Sequence, residues 1–173
     1  MDTLIDEFKI YTKNLTKPFS VVLVGLPLSG KDTLIDSLGL EKIKILSRDG
    51  IIESLFPDNN YQEAYSSVDS KAIDKLFFKQ LEEAVSKKEP VLINATHLRI
   101  KRRRKINLRI PPEYVKLAIQ LPVPSLDDYE QRNQNRRDLT GKHISRKVFE
   151  EMMNLFEPVN EDEGFDQIFR FHN

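Results

Sequence analysis

One stretch restricts the fold more than any other. The apolar run FSVVLVG (residues 19–25) passes directly into LPLSGKDT (residues 26–33). A β-branched run without polar alternation is the pattern of a strand buried on both faces, as in parallel sheets covered by helices. Gly25, Gly30 and Lys31 fit G-x-x-x-x-G-K, with a strand before the motif and a helix pattern resuming at Lys31. Such a loop holds phosphate: glycines admit backbone N–H groups to phosphate oxygens, the helix N-terminus adds its dipole, and Lys31 supplies a point charge. The expected nucleotide cradle is therefore Gly25, Leu26, Pro27, Leu28, Ser29, Gly30, Lys31, Asp32 and Thr33.

The rest of the chain repeats the strand-then-helix rhythm. Short apolar runs recur at IKILS (43–47), VLINAT (91–96), YVKLAIQL (114–121) and QIFRF (167–171), with helical spacing between them. The longest helix pattern covers 61–86, with Ile73, Leu76, Phe77, Leu81 and Val85 on one stripe. Strands alternating with helices imply right-handed crossovers, so the expected fold is an α/β three-layer sandwich around a mainly parallel five-stranded sheet. Residues 1–16 carry an amphipathic pattern (Leu4, Phe8, Ile10, Tyr11, Leu15), read as a helix lying on the main body. With 173 residues and no linker or repeat, residues 1–173 read as one domain.

Charge and cysteine content narrow the function classes. The 27 basic and 27 acidic side chains cancel, so no overall field draws the chain to nucleic acid or an anionic membrane, and any such attraction must be local. Without cysteine there are no disulfides, thiolate metal sites or cysteine nucleophiles. The N-terminus lacks an apolar secretory core and no run is long enough to span a bilayer, so a cytoplasmic location is expected.

Several polar groups fall where a sheet of this kind presents its ligand-binding edge. Asp32 follows the loop lysine where Ser or Thr is usual; its carboxylate could ligate Mg²⁺ or simply favour the positive helix end. SRDG (47–50) brings Arg48 and Asp49 to the end of the second strand, where Asp49 suits a base for an acceptor hydroxyl or a helix N-cap. INATH (93–97) brings Thr96 and His97 to the same edge; His97 could contact an acceptor or serve as a structural hydrogen-bond partner. RIKRRRK (99–105), with Arg102 and Arg103, could track nucleic-acid phosphates or form a solvated helix face with Ile100 and Ile106 inward. Residues 125–147 read as a lid. Its first helix, capped by Ser125, carries Arg132 and Arg136 four apart on one face, and a polar connection at Gly141 leads to a second helix near Ser145. A lid cation would stabilise charge on a transferring phosphoryl group.

Taken in order, GLPLSGKDT, SRD, INATH, QRNQNRRD and FEPVNEDEGFD resemble the P-loop polynucleotide 5′-hydroxyl kinases over about residues 20–171. That resemblance implies a P-loop NTPase fold of kinase type with a helical lid, ATP as phosphate donor with Mg²⁺, and a DNA or RNA 5′ end as acceptor. It implies Lys31, Asp49 and Arg136 as catalytic residues, with Arg48 before the base and Arg132 the first arginine of the lid helix. Two departures stand out. The family's Ser after the loop lysine is Asp32, and the aspartate of its third strand end is absent from INATH. Asp32 is therefore the expected metal ligand. Other acceptors fit the same donor chemistry, namely a nucleoside, a nucleotide or a hydroxymethylated base in DNA. A non-catalytic nucleotide-binding domain is the third reading.

Overall fold

A computed structural model describes residues 2–40, 42–57 and 61–171. Five strands form a single sheet: β1 (Phe19–Val24), β2 (Lys44–Ser47), β3 (Val91–Asn94), β4 (Val115–Gln120) and β5 (Gln167–Arg170). Their order is β2-β3-β1-β4-β5, and every pairing is parallel. The chain leaves β1 toward β2 and later returns to add β4 on the other side, so the order reverses about β1. Ligands of open α/β sheets bind beyond the strand ends at such a reversal. Here that position belongs to the glycine loop.

Strand alternation sorts the core into two layers. Val22 and Val24 face one side, with Leu46, Ile93 and Ala118, and pack on Ile51, Ile52, Ile73, Phe77 and Ile106. These belong to α3 (Arg48–Leu55), α5 (Ser70–Ser86) and α6 (Ile100–Asn107). Val21 and Leu23 face the other side, with Leu92, Leu117 and Ile119, against α1 (Asp2–Lys13) and α2 (Lys31–Leu38). Phe8 of α1 meets Phe169 of β5 edge-on, ring centroids 5.2 Å apart, which fixes the N-terminal helix to the sheet margin.

The helix expected over 61–86 is two helices, α4 (Tyr61–Ser67) and α5. Asp69 interrupts it: its carboxylate accepts from the Lys71 amide at 2.9 Å, capping α5 and starting the helix anew. The other expected elements appear with ends shifted by up to three residues, the largest shift at the C-terminal end of α1.

A third apolar cluster sits above the sheet edge. Leu26 and Leu98 from two loops meet Tyr129 of α7 (Leu126–Thr140) and Phe149 of α8 (Arg146–Asn154). The Tyr129 and Phe149 rings stack with centroids 4.3 Å apart. Among the described residues no helix is long and apolar enough to cross a membrane.

Candidate functional site

The loop between β1 and α2 is shaped by two glycines and one strained residue. A side chain on Gly25 would put its Cβ 2.6 Å from Ser29 Oγ and 3.2 Å from Leu121 Cβ, so it would displace the Ser29 hydroxyl and crowd Leu121. Gly30, the N-cap of α2, has φ 93°, in the left-handed region. Leu28 is held there too, at φ 64°, a conformation that costs a leucine about 1–2 kcal/mol and is typical of loops fixed by their surroundings. The hold on Leu28 comes from above, where Arg132 Nη1 of α7 donates to its carbonyl at 2.9 Å.

Lys31 folds back over this loop. Its ammonium donates to the carbonyls of Gly25 (3.1 Å) and Leu26 (2.6 Å) and to Ser29 Oγ (3.4 Å). Burial lowers its pKa to about 8; the nearby Asp32 and Asp49 carboxylates oppose that shift, and the Arg136 guanidinium adds to it. Four charged groups from three separate segments thus share one local field.

Asp49 lies in the first turn of α3 but does not cap it. Ser47 does, its hydroxyl accepting from the Gly50 amide at 3.3 Å. Asp49 is exposed and, among the described residues, its carboxylate has no hydrogen-bonded or ion-paired partner. The guanidinium of Arg136, half-buried on α7, is likewise unengaged among the described residues. One turn after Asp49, Glu53 forms an ion pair with Lys142, joining α3 to the connection after α7. That connection is also strapped down internally. Asn133 accepts from the Ile144 amide (2.9 Å) and donates to the Ile144 carbonyl (2.9 Å), which also accepts from the Tyr129 hydroxyl (2.6 Å).

The two departures in the sequence touch each other. Asn94, the last residue of β3, donates from Nδ2 to Asp32 Oδ1 at 3.0 Å. The amide orients the carboxylate and leaves Oδ2 open. Mg²⁺ takes hard oxygen ligands, keeps several waters and is commonly held by one or two carboxylates plus substrate phosphate. The exposed Asp32 beside a phosphate loop fits that donor set, although no cluster of three or more metal-ligating side chains occurs among the described residues.

The residues expected on the acceptor side are distributed differently. Arg103 is a correction. It is fully buried, its guanidinium pairing with Glu163 through Nε (2.6 Å) and Nη2 (2.7 Å) and donating to the carbonyls of His97 (2.9 Å) and Pro158 (3.0 Å). A guanidinium with its donors consumed inside the protein cannot also bind phosphate. Arg102 points another way and is half-buried, with Nη1 and Nη2 bonding Asp74 at 2.9 and 3.0 Å and Cζ 5.0 Å from the Phe78 ring centroid. Arg48 pairs with the same Asp74 and reaches Ser70 Oγ at 3.1 Å. His97 is buried at 4% exposure, with φ 45° and no partner for Nε2 among the described residues. Burial, with Arg102, Lys31, Arg103 and Arg48 nearby, lowers its pKa to about 3, so it stays neutral and lies beneath the cleft surface. The Thr96 carbonyl accepts from the Gly25 amide at 3.1 Å, a bond that ties the third strand's end to the glycine loop.

Sequence reasoning missed Asn94 as a partner of Asp32, and Asp74 as the anchor of two arginines. Asn94 lies within the INATH stretch at a strand end; Asp74 sits inside a long helix with no local signal.

Residues 21–159 match the family described as AAA domain. No curated protein matches the sequence. The chain is similar in structure to a protein of Chloroflexus aurantiacus J-10-fl classed as a kinase (TM-score 0.64, 15% identity, 91% of this chain and 86% of that one). It is also similar to a chain of the Pnkp1/Rnl/Hen1 RNA repair complex (TM-score 0.65, 20% identity), covering 83% of this chain but only 46% of that one. Shikimate kinase from Acinetobacter baumannii matches with TM-score 0.52 and 18% identity, over 98% and 88% of the two chains. At these identities the likeness establishes the fold alone, that of an α/β P-loop NTPase with kinase-type neighbours.

Proposed function

The chain belongs to the AAA domain family, and from that premise we propose an ATP-dependent phosphotransferase that moves the γ-phosphate to a hydroxyl of a nucleic acid, foremost a polynucleotide 5′-hydroxyl. One observation carries the reading: Asp49, with neither a capping role nor a salt-bridge partner among the described residues, lies in the same field as the phosphate-loop lysine and an arginine likewise unengaged among them. A nucleotide binder needs the loop alone. A carboxylate left unpaired beside it is what a kinase needs to orient a hydroxyl and accept its proton.

In this reading the loop amides and Lys31 hold the β- and γ-phosphates, and α7 brings Arg136 down as a lid cation. Asp49 orients the acceptor hydroxyl, while Asp32, oriented by Asn94, would hold Mg²⁺. When bound, the ion would neutralise charge on the phosphates. The resemblance in sequence and the structural likeness to a chain of an RNA repair complex both support a polynucleotide acceptor.

The test is transfer of labelled γ-phosphate to single-stranded DNA, RNA, hydroxymethyl-containing DNA, nucleosides and nucleotides. Polynucleotides should accept best. Replacing Asp49 by Asn should lower kcat by about 10²–10⁴-fold with little change in nucleotide affinity. Transfer to small hydroxyl compounds alone would move the acceptor class, and tight ATP binding without transfer to any hydroxyl would overturn the reading.

A further inference from the structure

Arg103 and Arg102 turn inward, yet α6 still presents basic residues to solvent. A groove of about 780 Å³ runs along the outer side of α6 to the end of α8, lined by Arg99, Lys101, Arg104 and Lys105 with the apolar Leu108 and Leu155. Leu108 is 86% exposed and Leu155 41%. Resting on the kinase reading above, we propose that this groove holds the sugar-phosphate backbone of the acceptor strand downstream of its 5′ end.

The charge balance favours a polyanion. The acid lining the groove, Glu157, is already committed: its carboxylate accepts from the Ile100 amide at 2.6 Å and satisfies the start of α6, whose N-cap Arg99 offers no capping side chain. Arg104 shares its charge with Asp162 at 2.7 Å. Arg99, Lys101 and Lys105 have no ion pair among the described residues, and both lysines are exposed. In a chain with equal numbers of acids and bases, this is a local excess of cations. Single strands are bound in such grooves by phosphate contacts along the backbone, with apolar side chains available to the bases.

Position supports the same occupant. Asn94, bonded to Asp32 at the phosphate loop, is five residues before Arg99. Five residues span at most about 18 Å. At about 3.4 Å per nucleotide along a helical strand, a strand with its 5′ end at the loop reaches the groove within about five phosphates. Acceptors of about five nucleotides or more therefore span the distance.

The experiment compares wild type with Lys101→Ala/Lys105→Ala, two exposed changes away from the phosphate loop. Binding of fluorescent 5′-hydroxyl dT12, rU12 and dT3 is measured by anisotropy across salt concentrations, together with γ-phosphate transfer to each. The variant should bind dT12 or rU12 about tenfold more weakly, with a salt slope shallower by about 1.4, since each lost single-strand contact contributes about 0.7. The loss for dT3, which carries only two phosphates, should be clearly smaller. Equal dT12 and rU12 affinities and slopes in the two proteins, or an equal loss for dT3, would overturn the groove, as would failure of wild type to bind either long strand. Transfer by wild type without sensitivity to the two lysines would reject the groove and leave the kinase reading standing. The expected binding losses without transfer to any strand would support the groove and count against the kinase reading.

Discussion

In the proposed reading Lys31 holds two roles that pull its proton in opposite directions. Burial in the loop lowers its pKa to about 8, while phosphate binding requires the cation. The free protein therefore loses the binding form as pH rises through about 8. Affinity for a non-hydrolysable ATP analogue should be flat from pH 6.5 to 7.5 and then weaken toward tenfold per unit above 8, measured by calorimetric titration. A flat profile to pH 9.5 would contradict it. The same shift acts on folding with a defined sign: between about 8 and the ordinary 10.5 the unfolded chain holds more protons, so Lys31 contributes increasing stability as pH rises across that window. At this scale the loop was legible because its residues are contiguous. Asp32 and Asn94 were each visible as unusual residues, but their contact spans 62 positions and only the fold brings them together. Arg103 was a misreading that helix phase already argued against, since it lies three residues from both Ile100 and Ile106, the pair expected to face inward. A basic run draws attention to charge; which of its members points outward is a matter of 100° steps.

At the scale of elements, the strands were readable because β-branched runs ending in polar or glycine residues are local signals. The break between α4 and α5 was not, because the apolar stripe of α5 carries no mark at Asp69 until the side chain is seen capping. How elements are fastened was least visible. The Arg103–Glu163 pair bolts α6 to the 3-10 turn Glu161–Glu163, with both side chains fully buried. Removing one partner strands the other charge in the interior, so Glu163→Gln and Arg103→Met should each destabilise by about 3–5 kcal/mol in urea unfolding. The double replacement Arg103→Met/Glu163→Leu should recover much of that loss, because a packed apolar pair has no charge to desolvate. Additive losses in the double variant would show that the two residues act independently. This pair also lies under the His97–Leu98 carbonyls, so it fixes the segment leading from the third strand to the basic groove.

The whole molecule converges on one edge of one sheet. The glycine loop leaves β1, Asp49 follows β2, Asn94 ends β3, and α7 reaches the loop through Arg132. A ligand that bridges these segments binds the folded chain and not the unfolded one. At a hundredfold excess over Kd it should stabilise by about 2.7 kcal/mol, a rise in Tm of about 5–11 °C for a chain of this size. The metal question can be read in that shift without any turnover. If Asp32 holds Mg²⁺, the analogue with Mg²⁺ should raise Tm several degrees more than the analogue with EDTA. Asp32→Ala should erase the difference between the two conditions. Asp32→Ala/Asn94→Asp places a carboxylate on the neighbouring strand end, whose side chain lies 3.0 Å from Asp32, and should bring the difference back. A full Mg²⁺-dependent shift retained in Asp32→Ala would leave Asp32 with the lesser role of an acid favouring the start of α2, and the metal would then be held by phosphate and water alone.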